Sequence, residues 1–568
     1  MNRSRDLYLI LAWLLFIRSI NAQDLGNGDT LVIHPITFDT PSPEGWLAQY
    51  QSTLNFPLDD ISWSKILMVQ TLKCDPMTKA DKYECGEWDY IWDTMVHVPN
   101  KDTTETFKLG SFVTPYGKRL YLGGDEGWEW TYDITDYAPI LKGQLDLTVG
   151  NNQELLDLNF FFIKGIPSRD ALSVENIFSL GNHDSHYGYT HNYGELSNNT
   201  ALTKRQIILD PSASGYKIKA IISGHGHEGP DYCCEWVNKS HSYIINGLKM
   251  FTWNVWKDCG NNPIYPQGGT WPYDRAGWCP GTKVDEYSFE LTNIVTAGDT
   301  ISIDYEIETM VNESEAKGIF RMSHQLFSYG KPNFKYNVEI AEIIVPSSED
   351  RYSRINPTLS SPRIIIRNNG SEDIRLLKIK YGLEHGSKYI YRWKGVCPFL
   401  MEQEIHLPIP DWSGLSNDRS FMVEAIAPNG RKDEYPIDNI KYSKVLLPKV
   451  LPNEFMIRIR TNDLGRSVEN NYEIRDNTGT TYFKSPYFED NTDYKIPIKL
   501  DPGIYDFIFT DEKENGIDLL WWQQKDSIGT SGILEFMDVD GSIIHRFNSD
   551  FGQEIRMNFL VGDIPSGW

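Results

Sequence analysis

Past its first two dozen residues the chain shows almost no helical periodicity. Apolar and polar positions alternate instead, in short runs separated by turn residues. The run from Trp88 to Val96 places Trp88, Tyr90, Trp92, Thr94 and Val96 on one face. Ile301, Ile303, Tyr305 and Ile307 alternate with Ser302, Asp304 and Glu306, and Tyr216, Ile218, Ala220 and Ile222 do the same. A period of two sends successive side chains to opposite faces, so these runs predict antiparallel strands with one buried face. Many such strands in one chain imply sandwiches or jelly rolls. Breaks in the pattern divide the chain. One falls near residue 175. A second falls near 346, where Pro346-Ser347-Ser348-Glu349-Asp350 reads as a linker, and a third near 450, around Leu447-Pro448-Lys449-Val450-Leu451-Pro452. The expected units are 23–175, 176–346, 347–450 and 451–568. The third carries the strand-like run Arg363-Ile364-Ile365-Ile366-Arg367 and reads as an immunoglobulin-like sandwich. The fourth reads as a further β-rich unit, with no repeat linking the two.

Residues 1–22 change the picture of where the protein works. Arg3 and Arg5 form a positive start, an apolar stretch runs from Leu7 to Ile17, and Ala22 ends a short polar segment, the pattern of a cleaved signal peptide. The stretch is short for a membrane span, and no later segment reaches its length. The expectation is a secreted or periplasmic protein with no membrane span in its mature form. The seven cysteines then read as disulfide partners, with one left over. Composition adds a hint of chemistry. Seventeen Trp and 31 Tyr suit surfaces that pack on the C–H faces of sugars, although any one of them is as readily sandwich core. The net charge of −24 argues against a nucleic-acid ligand, which calls for basic patches.

Three stretches carry candidate chemistry. Cys85-Gly86-Glu87-Trp88-Asp89 and Cys233-Cys234-Glu235-Trp236 each place a carboxylate beside a Trp and a Cys. A disulfide would fix the backbone, and the Trp would desolvate the carboxyl, raising its pKa toward that of a useful base. The same pattern suits two structural turns. The third stretch, Asp274-Arg275-Ala276-Gly277-Trp278-Cys279-Pro280-Gly281, is dense in Gly, Pro and Trp and holds one Arg. Cys259 and Cys279 bracket it and can close a loop, a restraint of about 3 kcal/mol through lost unfolded-chain entropy. Rigid loops that present an Arg and a Trp are typical of binding sites.

These segments resemble the peptide-N-glycosidase F family of amidases. The strings that carry the resemblance are Cys85-Gly86-Glu87-Trp88-Asp89, Phe112-Val113-Thr114-Pro115-Tyr116, Ile134-Thr135-Asp136-Tyr137, Ser223-Gly224-His225-Gly226-His227, Cys233-Cys234-Glu235-Trp236 and the run from Asp274 to Gly281. They stand in the family's order between residues 31 and about 310. The resemblance implies an all-β fold of two adjacent eight-stranded antiparallel jelly rolls, with the active site where they meet; the two further C-terminal β-sandwich-like domains rest on the strand pattern alone. It implies Asp89, Glu235 and Arg275 as catalytic residues, Trp88, His227, Trp278 and Trp236 as substrate-binding neighbours, and disulfides Cys74–Cys85 and Cys259–Cys279. The chain also departs from the family's pattern. A second glutamate has no clean match, and Asn152, Gln153 or Glu154 could stand in. Tyr90 follows Asp89 where an Arg is expected, His225 replaces a Trp, and Val237 replaces a Cys, so Cys233 or Cys234 must pair elsewhere or stay free.

The resemblance implies hydrolysis of the bond between asparagine and the first N-acetylglucosamine of an N-glycan, leaving aspartate, without a cofactor or metal. Its partners would be N-glycosylated proteins and peptides, bound by a monomer. Other readings stand beside it. The same scaffold suits a non-catalytic lectin, and paired carboxylates suit a glycosidase. Gly181-Asn182-His183-Asp184 and Gly224-His225-Gly226-His227 resemble two metallophosphoesterase motifs, but the upstream Asp-x-His and Gly-Asp-x-x-Asp strings that supply the other metal ligands are missing. Asp511-Glu512-Lys513-Glu514-Asn515-Gly516 is a candidate calcium turn or a plain solvated one. Trp521-Trp522 could be a glycan platform or core.

Overall fold

The structure is a computed structural model. It describes residues 26–562 apart from 46, 59–60, 78–84, 119, 121, 151–153, 185–186, 356–357, 413–419, 521–522, 524–525 and 527. The signal-peptide segment, Gln153 with Asn152, and the Trp521-Trp522 pair therefore lie outside the described residues. Strands carry nearly all the regular structure, and the described α-helix is the short Tyr193–Ser197. No helix among the described residues is long and apolar enough to cross a membrane.

The first lobe holds eight strands: β1 (Thr30–Ile36), β2 (Gln49–Phe56), β3 (Trp63–Cys74), β4 (Ile91–Asn100), β5 (Thr103–Val113), β6 (Trp128–Asp133), β7 (Gly143–Gly150) and β8 (Glu154–Lys164). They form two four-stranded sheets, ordered β1-β8-β3-β6 and β2-β7-β4-β5. Alternation along β8 shows how the sequence builds the core. Leu156, Leu158, Phe160 and Phe162 are buried between the sheets while their neighbours are only partly covered. Each such side chain contributes roughly 1.5–3 kcal/mol relative to exposure.

The run expected as one strand from Trp88 to Val96 starts at Ile91 instead. Thr114 captures the preceding residues: Tyr90 N donates to Thr114 Oγ1 at 2.7 Å, and Thr114 N donates to the Tyr90 carbonyl at 2.8 Å. From Trp92 to Val96 both faces are buried, because one meets the lobe's own core and the other meets the second lobe.

The second lobe has ten strands in its two main sheets, against the eight expected. One sheet runs Asn182–Asp184, Gly188–Asn192, Ile319–Pro332, Gly215–His225, Glu286–Glu290, with Arg169–Asn176 also paired to Ile319–Pro332. The lobe therefore begins before the expected boundary at 176. Four strands, Arg205–Ile208, Thr300–Ile307, Lys239–Ile245 and Leu248–Val255, form the other sheet. Ile218, Ala220, Ile222, Met322 and Leu326 fill the core between them. The opposite face of the first sheet is polar and meets the first lobe. Lys217 pairs with Asp136 at 2.5 Å, and the Tyr137 hydroxyl lies 2.6 Å from Gln325 Oε1. Asp136 and Tyr137, part of a string quoted for the resemblance, are thus latches between lobes.

Val338–Val345 pairs with Arg363–Asn368, so this strand belongs to the third unit although it precedes 346. That unit holds a three-stranded and a four-stranded sheet, and the last unit a five-stranded and a four-stranded one. In the turn after Gly503–Asp511, Asp511 is buried. Its Oδ1 accepts from the backbone N–H of Lys513 and Asn515, and its Oδ2 from Asn470 Nδ2 at 2.6 Å. The carboxylate expected either to bind calcium or to be solvated is the turn's own staple.

Candidate active site

A pocket of about 450 Å³ opens where the lobes meet. Asp89, Trp88 and Tyr90 line it from the first lobe, and Glu235, His225, His227, Trp278 and Arg321 from the second. Asp89 sits on the loop before β4. The Cys74–Cys85 disulfide ties this loop to the end of β3. Gly117 packs so close to it that a Cβ there would lie 2.0 Å from the Gly86 carbonyl oxygen, which explains the glycine. Glu235 follows Cys233 and Cys234, which pair with each other. This resolves the cysteine left open by Val237. Cys397 is the unpaired cysteine, and it is buried. Glu235 is held by its backbone: its N–H donates to the Gly226 carbonyl, and its carbonyl accepts from Ala276 N–H at 2.9 Å.

Burial pushes the Asp89 carboxyl up, to about 7, with the nearby Glu235 charge adding to the rise. Arg275 and a hydrogen bond from Tyr116 oppose it. Burial likewise pushes Glu235 up to about 7, against the opposing charge of Arg275. Each carboxyl can therefore hold a proton near neutral pH, and a charged Glu235 further disfavours ionisation of Asp89. One can take a proton while the other gives one.

Arg275 stands behind the pocket wall, beside Glu235. It is fully buried and does not line the pocket. Its guanidinium lies over Trp236 at 4.2 Å and Trp278 at 4.8 Å. Nε donates to Glu235 Oε1 at 3.3 Å, Nη1 to the Tyr273 carbonyl at 2.5 Å, and Nη2 to Thr270 Oγ1 at 2.8 Å and its carbonyl at 2.9 Å. Its donors are thus engaged within the fold, one of them on Glu235. The expected Cys259–Cys279 disulfide closes the loop that carries it.

The other expected residues divide. Trp88 is 47% exposed at the pocket, and Trp278 is buried in its wall with Nε1 donating to the Gly224 carbonyl at 2.9 Å. His227 is exposed and accepts from Trp236 Nε1 at 3.0 Å on Nδ1, which puts its ring proton on Nε2. Trp236 packs against His227 and Arg275 and does not line the pocket. Glu154 is also absent from the wall. It is buried at the start of β8 opposite Cys74. His225, stacked on Trp278, is held neutral because burial depresses its pKa to about 3.

Sequence reasoning missed three features. Tyr116 hydrogen-bonds Asp89, and its hydroxyl lies 3.5 Å from Arg275 Nη2. Arg321 crosses the seam to Asp93, which also pairs with Lys108 at 2.9 Å. The hairpin of Asn182–Asp184 and Gly188–Asn192 contributes His183, Tyr187 and Tyr189 to the pocket. His183, His225 and His227 do converge there, but among the described residues no three metal-ligand atoms gather in the pocket. The one such trio is Asp258, Asp274 and Glu514, behind the Arg275 loop. Asp274 there accepts from Cys259 N–H and Trp256 Nε1, and Glu514 from Gln553 Nε2. The last unit supports this loop directly. Trp271 Nε1 donates to Asp550 Oδ1 at 3.0 Å, and Gln553 N–H to the Gly260 carbonyl at 2.9 Å.

The fold and pocket define a class: a two-lobed β protein with a protonatable acid pair at the lobe junction. A family model described as "Peptide-N-glycosidase F, C terminal" matches residues 192–327, a span that includes Glu235, Arg275 and Arg321. The peptide-N(4)-(N-acetyl-beta-D-glucosaminyl)asparagine amidase F of Elizabethkingia miricola is 28% identical over 287 residues, 47% of this chain and 75% of that protein. The solved PNGase F, a glycosylasparaginase from Flavobacterium meningosepticum, is 26% identical and covers 53% of this chain and 96% of its own, with a TM-score of 0.45. PNGF-II is 17% identical, covering 53% of this chain and 65% of its own at a TM-score of 0.40. The resemblance to the peptide-N-glycosidase F family, first read from six short strings, is thus matched by a family model over 192–327 and by a relative at 28% identity.

Proposed function

We propose that the protein is an exported amidase that hydrolyses the link between an asparagine side chain and the first N-acetylglucosamine of an N-glycan. The observation that carries this reading is the meeting of Asp89 and Glu235, from different lobes, in one aromatic-walled pocket with their proton affinities raised into the neutral range. Amide hydrolysis needs a base to deprotonate the attacking water and an acid to protonate the departing nitrogen. Asp89 takes the water proton as the new C–O bond forms. Glu235 holds a proton and delivers it to nitrogen as the C–N bond breaks. The products are a peptide aspartate and a glycosylamine, which loses ammonia in water. Arg275 keeps Glu235 oriented, and Tyr116 links Asp89 to Arg275.

The test is mass spectrometry of a defined glycopeptide after incubation with the mature protein. The account expects loss of the whole glycan and aspartate in place of asparagine. A sugar left on asparagine would make it an endoglycosidase, and an intact but tightly bound glycopeptide would make it a lectin.

A further inference from the structure

The hairpin formed by Asn182–Asp184 and Gly188–Asn192 has no role in the proposed hydrolysis steps, yet it builds a wall of the same pocket. His183 and Tyr189 are direct cross-strand partners, and their rings meet edge to face at 5.2 Å and 87°. His183 is exposed and Tyr189 half-buried. Trp88 and Tyr90 line the same pocket.

These aromatics are held in place by buried charge. Arg321 donates Nη1 to the Tyr187 carbonyl and Nη2 to Asp93 on β4 of the other lobe. Gly188, at φ +72°, lets the guanidinium lie against the hairpin, since a Cβ there would sit 3.1 Å from Nη1. Asp184 Oδ1 closes the turn by accepting from Tyr187 N–H at 2.9 Å. An accessible aromatic pair braced by a buried ion pair is pre-organised for contact, so little ordering entropy is lost on binding. Its chemistry suits the uncharged C–H face of a pyranose.

We propose that this hairpin is a glycan-reading wall, with His183 and Tyr189 stacking on the second and following sugars of the substrate's glycan. The proposal rests on the amidase reading for its substrate. It is tested with the double variant His183→Ala/Tyr189→Ala and two glycopeptides, one bearing a single N-acetylglucosamine and one the core pentasaccharide. For the longer glycan KM should rise roughly tenfold with kcat unchanged, while the single-sugar peptide is processed as before. Equal effects on both peptides, or none on either, would overturn the proposal. A calorimetric titration with the core glycopeptide needs no turnover. It compares Asp89→Asn with and without the two substitutions, and a roughly tenfold loss of affinity is expected. Unchanged affinity would overturn the hairpin proposal even in a working amidase. Failure of wild type to release any glycan would sink the amidase reading and leave the titration to decide the hairpin.

Discussion

Asp89 and Asp93 stand four residues apart, both at the seam between the lobes, and the fold treats them oppositely. Asp93 is wholly buried but flanked by Lys108, Arg321 and the Ser111 hydroxyl. Burial alone would raise its pKa, yet the two cations drive it far below the usual carboxylate range. Asp89 has burial with another acid beside it and a cation engaged elsewhere, so its pKa rises. Burial is common to both, and the company each carboxyl keeps decides whether it serves as a permanent ion or as a proton carrier. The permanent ion joins the lobes and braces the hairpin through Arg321. The proton carrier faces the pocket.

The sharpest way to break this contrast is to neutralise each in turn. Asp89→Asn should lower glycan release about 10²–10⁴-fold with the fold intact, measured as initial rates on a glycopeptide. Asp93→Asn should instead destabilise the protein by about 3–5 kcal/mol, because it strands two buried cations, with the loss visible in denaturant unfolding. Glu235→Gln comes next. With Asp89 as base and Glu235 as acid, kcat/KM should be bell-shaped about neutral pH, and this variant should lose the alkaline limb.

Arg275 sharpens the comparison further. It opposes the rise in Glu235, so Arg275→Met should move the alkaline limb to higher pH and lower the rate about tenfold, leaving substrate affinity nearly unchanged. A loss confined to KM would place Arg275 on the substrate instead. The acid pair also carries a stability cost with a defined sign. The fold favours the protonated forms, so that contribution is full below the ordinary carboxylate range and is lost as pH rises through about 7. Asp89→Asn should therefore melt above wild type at alkaline pH, with the gap closing in acid. The smallest effect is expected at the supporting unit. Trp271→Phe removes the bond to Asp550 and should cost about 1 kcal/mol with little change in rate.

Alternation made the β class legible in the sequence, and motif strings pointed to Asp89 and Glu235. The rest depended on contacts far apart in the chain. Trp88 to Tyr90 alternate like a strand but are drawn off by Thr114. Arg275 looked available because its acceptors, Thr270 and Tyr273, are carbonyls and a hydroxyl that composition does not single out. Arg321 lies in the polar run Arg321-Met322-Ser323-His324-Gln325, whose alternate residues face another lobe and not water. The hairpin near His183 is too short and polar to read as strand, and tertiary pairing makes it one.

The most direct test compares single-turnover glycan release by wild type, Asp89→Asn and Asp93→Asn on one glycopeptide, each corrected for its folded fraction. The account predicts near wild-type release per folded molecule for Asp93→Asn and almost none for Asp89→Asn. Wild-type release by Asp89→Asn would contradict it.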